Sequence, residues 1–94
     1  MIYIYLFEIK IKINNSFSLK DKRKVTKSII DYARNNLKIS AAELSNNEIR
    51  NIAHMGFVTI SNDNDTAKSV LEDLERRIEN NYPVETIDYY IERI

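Results

Sequence analysis

Tyr3, Tyr5, Phe7, Ile9, Ile11 and Ile13 recur at every second position, and this alternation constrains the fold more than any other feature of the chain. A side-chain period of two belongs to an extended strand, because a helix would scatter the same residues around its circumference. The intervening positions begin apolar, with Ile2, Ile4 and Leu6, and become charged at Glu8, Lys10 and Lys12. The pattern predicts a strand over Ile2–Ile13, buried on both faces at its start and on one face at its end. Asn14-Asn15-Ser16 ends it through the turn preference of asparagine.

The stretch Ser18-Leu19-Lys20-Asp21-Lys22-Arg23-Lys24 opens a helix. Ser18 suits the N-cap, where its hydroxyl accepts from the amide of Asp21, and Asp21 can reach back in a capping box with Asp in place of Glu. The helix is expected to run to about Leu37, with Leu19, Thr26, Ile29, Ile30, Ala33 and Leu37 as its apolar stripe. Lys20, Lys24, Lys27, Asp31 and Arg34 then point outward, and Lys22 and Arg23 flank the stripe near its start.

The second half repeats the alternation of strand and helix signals. Ile39–Leu44 reads as a strand, Ser45–Glu48 as a polar loop and Ile49–Ile60 as mainly strand, with Gly56 marking a bulge or a close backbone approach. Ser61-Asn62-Asp63-Asn64-Asp65 is dense in capping side chains and precedes a helix over about Thr66–Asn80, its buried face Ala67, Val70, Leu71, Leu74 and Ile78. Pro83 closes the connection to a last strand, Val84–Ile91, with Ile87, Tyr89 and Ile91 on one face. The order β-α-β-β-α-β with right-handed crossovers predicts an α+β, ferredoxin-like domain over residues 1–94, with a four-stranded antiparallel sheet and two helices on one face.

Composition narrows the chemistry. Ninety-four residues with no cysteine, one histidine, one glycine and one proline exclude a disulfide staple, a thiolate nucleophile or metal ligand, and any glycine-rich phosphate loop. The first charge comes at Glu8 and no basic n-region precedes the apolar start, so the sequence predicts no signal peptide and no spanning helix. A cytoplasmic location is expected. The formal net charge is zero, yet residues 1–38 hold nine Lys/Arg against three Asp/Glu, and residues 39–94 hold five against eleven. Such a split marks either an acidic-ligand surface or two solvated helices of opposite charge.

Ser18-Leu19-Lys20-Asp21-Lys22-Arg23 after a long strand resembles the signature of the bacterial YlxP-like proteins, small domains of unknown function. Ser40-Ala41-Ala42-Glu43 resembles that family's second strand, Ala53-His54-Met55-Gly56 falls on its Ala-x-Leu-Gly run, and Ile60-Ser61-Asn62-Asp63 resembles its Val-Ser-Asn-Asp turn. The chain departs from the pattern at Asn14-Asn15, where the family has Pro-Gly, and around Arg50 and Ile52, where it has Trp and then Arg. The resemblance implies a cytoplasmic ferredoxin-like domain, often encoded beside genes of translation initiation and ribosome maturation.

Lys10, Lys12, Lys20, Lys22, Arg23, Lys24 and Lys27 form the candidate nucleic-acid-binding set, because cations around a helix N-terminus suit phosphates. The competing reading is a solvated helix face. Ser18, Asp21 and Glu43 are assigned structural pairing, Glu43 with Lys22 or Arg23. His54, alone and without cysteine, is expected to be an ordinary strand residue, and neither a metal nor a cofactor is expected. The RNA-recognition motif shares this element order, but the third strand has Ala53-His54-Met55 where the motif needs Arg-Gly-aromatic, and Tyr3 shares a face with Ile9 and Ile11. No catalytic motif is present, so the chain is read as a non-enzymatic module with RNA or the ribosome as candidate partner and no membrane partner. The alternative is a homodimeric interaction or regulatory module, joined through the open sheet face or the Ile39–Leu44 edge.

Overall fold

Phe7, Ile9, Ile11 and Ile13 are all at most 3% exposed, and Tyr5 is 8% exposed, so the odd-numbered face of the first strand is the floor of the core. A computed structural model of the chain describes residues 1–44 and 49–94. Its elements are β1 (Tyr3–Ile13), α1 (Leu19–Asn36), β2 (Ser40–Glu43), β3 (Ile52–Ser61), α2 (Asn64–Asn81) and β4 (Val84–Arg93). The four strands form one antiparallel sheet in the order β2-β3-β1-β4. This is the βαββαβ ferredoxin-like arrangement, in which each helix crosses over a central strand.

Both helices cover the same sheet face. Ile29, Ile30 and Ala33 of α1 and Ala67, Leu71, Leu74 and Ile78 of α2 share one cluster with the odd residues of β1 and with Ala53, Met55 and Phe57 of β3. In register, Phe7 faces Phe57, and their rings stack at 5.4 Å between centroids. Tyr89 of β4 meets Phe7 edge-on at 6.0 Å. Such ring pairs add about 0.5–1.5 kcal/mol beyond the area they bury.

Capping fixes where each helix begins. Ser18 Oγ accepts from the Asp21 amide at 3.1 Å, and Asp21 Oδ2 accepts from the Phe17 amide at 3.1 Å, one residue further back than a capping box reaches. Asp63 caps α2 by accepting from the Thr66 amide at 2.9 Å and its hydroxyl at 2.6 Å. Those bonds, the side-chain one first, hold the Asp63 carboxyl below its usual pKa. The helix therefore starts at Asn64, ahead of the Thr66 expected. At the end of α1, Lys38 takes left-handed backbone (φ 57°), and the Ile39 amide returns to the Ala33 carbonyl at 3.2 Å, a Schellman-like ending without the usual glycine.

Five details differ from the sequence reading. β3 begins at Ile52, because residues 50 and 51 form a turn in which the Asn51 carbonyl accepts from the Ile13 amide at 2.7 Å. β2 is shorter than predicted, and β4 continues to Arg93. Gly56 pairs in unbroken register with Glu8 and Ala42; what approaches it is the Leu44 side chain, which lies 2.8 Å from where a Cβ would stand. The bulge lies in β4: Lys10 faces Asp88 and Ile11 faces Thr86, leaving Ile87 as the extra residue, 51% exposed. The predicted loop Ser45–Glu48 lies outside the described residues. No helix among the described residues is long and apolar enough to cross a membrane.

Glu75 is a buried carboxylate on α2. Burial first, then Glu79 beside it, push its pKa up. A raised carboxyl favours folding below its ordinary pKa, and that contribution is lost as pH rises through the folded-state value. Glu75→Gln is therefore expected to raise Tm at neutral pH by roughly 2–8 °C. Calorimetric scans across the acidic range should show this gain vanish once Glu75 of the parent is protonated.

Candidate functional site

The cations of α1 reach the surface unequally, because the apolar stripe fixes the helix's rotation. Ile29, Ile30 and Ala33 turn toward the sheet, which leaves Lys20, Arg23, Lys24, Lys27 and Arg34 exposed. Over 18 residues the helix is about 27 Å long, so these side chains form a stripe and not a point. Lys27 pairs with Asp31 at 2.6 Å across one turn. The Arg34 guanidinium donates to the Ala41 carbonyl at 2.6 Å and ties the helix to β2.

Lys22, expected to flank the apolar stripe and included in the candidate nucleic-acid-binding set, is turned inward. Its side chain is 7% exposed, and its ammonium donates to the Ile49 carbonyl at 3.2 Å. Position 22 lies one turn before the buried Thr26, so the helix points it inward, and its role is to fasten α1 to the segment entering β3. Glu43 lines an open groove with Arg23, Lys27 and Arg34. Among the described residues it makes no ion pair with Lys22 or Arg23. Lys10 and Lys12 stand on the opposite, helix-free face, where Lys10 faces Asp88 and Lys12 faces Glu85 across the β1–β4 ladder.

The charge split of the sequence becomes a split between flanks. Besides its cations α1 carries only Asp21 and Asp31 as acids. α2 sets Asp65, Glu72, Asp73, Glu75 and Glu79 against Lys68, Arg76 and Arg77, and β4 sets Glu85, Asp88 and Glu92 against Arg93. α1 packs on β2 and β3, while α2 packs on β3, β1 and β4. One flank is therefore basic and the other acidic, and Arg77 of α2 bridges them by stacking 3.7 Å over the Tyr32 ring of α1.

A second cluster lies on the open sheet face, and the sequence reading missed it. The Glu8 carboxylate of β1 accepts from His54 Nε2 of β3 at 2.6 Å through Oε1, and from the Tyr90 hydroxyl of β4 through Oε2. Three adjacent strands thus meet at one carboxylate, and Glu8 and His54 remain about one quarter exposed. The bond from Tyr90, followed by that of His54, lowers the Glu8 pKa. The same bond pushes the Tyr90 hydroxyl up to about 12. The shared face of Glu8 with Lys10 and Lys12 was legible from the alternation. The antiparallel registers that place Tyr90 and His54 around it were not. Among the described residues, no group of three or more His, Cys, Asp or Glu could hold a metal.

The linkage of this cluster to folding has a definite sign. Glu8, with its pKa lowered, contributes stability above the ordinary carboxylate value and loses it as pH falls through the folded-state value. Tyr90 contributes below its ordinary pKa of 10.0 and loses that contribution as pH rises through about 12. An alkaline titration followed by ultraviolet absorbance is expected to show one of the six tyrosines ionising near pH 12. Glu8→Gln should return it toward the ordinary tyrosine value of 10.0, and Tyr90→Phe should remove it.

No curated protein matches the sequence. The backbone is similar to LFR1 1, a de novo designed protein with ferredoxin fold, at a TM-score of 0.61 and 16% identity over 97% of this chain and 82% of the design. It is also similar to the Bacillus subtilis YXEP protein, a dinuclear metal binding peptidase from the M20 family, at a TM-score of 0.59 and 18% identity; the whole of this chain covers 26% of that one. The protein YJCS aligns over 97% of this chain and 98% of its own length at a TM-score of 0.52 and 13% identity. Likeness at these identities carries the fold alone. Residues 4–91 match the family described as Protein of unknown function (DUF503), and the chain belongs to that family.

Proposed function

We propose that the chain is a non-enzymatic, cytoplasmic, YlxP-like module that binds RNA, on or off the ribosome, through the basic flank of α1. The observation that carries this reading is the exposed stripe Lys20, Arg23, Lys24 and Lys27, set on one side of a molecule whose other side is acidic. A one-sided field of this kind steers a polyanion to one face and repels it from the other. The cations sit on a helix pinned at both ends, by the Ser18 and Asp21 cap and by Arg34 on Ala41, so little ordering is needed on binding. Ser18 Oγ already takes the Asp21 amide and Asp21 Oδ2 takes the Phe17 amide; the Asp21 carboxylate repels phosphate from this helix start, and contact therefore falls to the side chains.

The edges of the sheet favour this reading over self-association. β2 pairs over only four residues, and β4 carries a bulge together with Glu85, Asp88 and Glu92. Short edges, bulges and charges are devices that oppose strand pairing between copies.

The triple substitution Lys20→Glu, Arg23→Glu, Lys24→Glu is expected to abolish RNA binding at low salt, measured by fluorescence anisotropy. The parent should lose affinity steeply with salt, with a log–log slope of about −0.7 for each phosphate contact to a single strand. Lys68→Glu on the acidic flank should leave affinity unchanged. An unchanged affinity in the triple variant, or a flat salt dependence in the parent, would contradict the proposal.

A further inference from the structure

Phe17 is 73% exposed, although the chain on either side of it is fixed. Ser16 is buried, and its hydroxyl donates to the Arg50 carbonyl and, at 3.4 Å, to the Ser18 carbonyl. The Phe17 amide donates to Asp21 Oδ2, and the Asn14 amide donates to the Pro83 carbonyl at 2.8 Å. Asn15 holds left-handed backbone (φ 57°) and makes the turn that projects the segment. An aromatic ring is therefore presented to solvent on an ordered backbone, at the pole where β1 ends, α1 begins and β3 begins.

The surroundings of the ring suit a nucleotide. Phe17 lines an open depression of the surface with Lys12, Asn14, Asn15, Arg50 and Asn51. Two cations stand there to meet phosphates, and three side-chain amides can donate to and accept from base edges. Lys20 and Lys24, exposed on the first turns of α1, continue the positive surface away from it. A lone exposed phenylalanine needs no explanation. A rigidly held one lining a depression with cations and amides matches the recurring construction of single-strand binding sites, an aromatic platform beside a basic track.

We propose that Phe17 is a stacking platform for an unpaired base of single-stranded RNA, with Lys12 and Arg50 holding its flanking phosphates. This rests on the RNA-binding reading above and adds the substrate class: unpaired strands, loops or bulges over uninterrupted duplex, whose bases are already stacked and whose deep groove excludes the ring. The concave, amide-lined setting favours a base over a lipid surface, for which a convex apolar tip would be the better form.

The test compares parent, Phe17→Ala and Phe17→Trp on a short unstructured oligoribonucleotide and on a blunt RNA duplex at the same low salt. Phe17→Ala is expected to weaken single-strand binding roughly 5- to 100-fold and to leave duplex binding within about twofold of the parent. Phe17→Trp should retain binding, and its indole should be quenched by the oligonucleotide; the natural chain has no tryptophan, so the signal is unambiguous. Circular dichroism melts confirm that each variant folds. Equal single-strand affinity of Phe17→Ala and parent would overturn the platform while leaving the basic-flank reading intact, whereas absence of binding by the parent would overturn both. An indole that responds to anionic phosphatidylserine vesicles and not to RNA would also overturn it.

Discussion

The odd-numbered face of β1 is the interaction on which the rest of this molecule depends. Five successive odd positions, Tyr5 to Ile13, are buried, and every other part of the core packs on them. β3 and β4 pair with the two edges of β1, α2 packs on its floor, and α1 closes over the neighbouring β2 and β3. Each of those side chains is worth about 1.5–3 kcal/mol in burial, against a total stability on the order of 5–10 kcal/mol for a domain of this size. A single polar substitution there would take a large share of that stability, and the chain has no disulfide to fall back on. The candidate surfaces are consequences of this floor. Because the odd face is committed to packing, Glu8, Lys10 and Lys12 are forced onto the open face, and because α1 must cover β2 and β3, its remaining sides carry charge into solvent.

The fold was legible in the sequence wherever a period was long enough to count. The alternation in β1, the stripe Ile29, Ile30 and Ala33, and the stripe Ala67, Leu71, Leu74 and Ile78 each gave an element and its buried face. Short or irregular elements were less legible. β2 owes its four paired residues to β3 rather than to its own pattern. The bulge at Ile87 is invisible in a run of Thr86, Ile87, Asp88 and Tyr89, because it is set by how β4 must bend along β1. Gly56 was read as a backbone feature, and its actual neighbour is the Leu44 side chain.

The candidate site was legible only in part, for a related reason. Sequence can say that a residue lies near a stripe, but the few degrees of helix rotation that separate inside from outside are settled by packing. Lys22 and Arg23 are adjacent and chemically alike; one is buried and bonded to the Ile49 carbonyl and the other is exposed. The Glu8, His54 and Tyr90 cluster depends on two strand registers at once. Neither register can be read from one strand alone. Phe17 sat in plain view as the residue before the cap, and its exposure became informative only once Lys12 and Arg50 were placed in the same depression.

In the proposed function, one pole and one flank, the start of α1 with the turn before it, meet the nucleic acid. Amide chemical-shift mapping of the labelled protein titrated with a short single-stranded RNA tests it most directly. Perturbations are expected to concentrate at residues 12–27 and 50–51, with α2 and β4 unaffected. Perturbations centred instead on Glu8, His54 and Tyr90, or spread along α2, would contradict it.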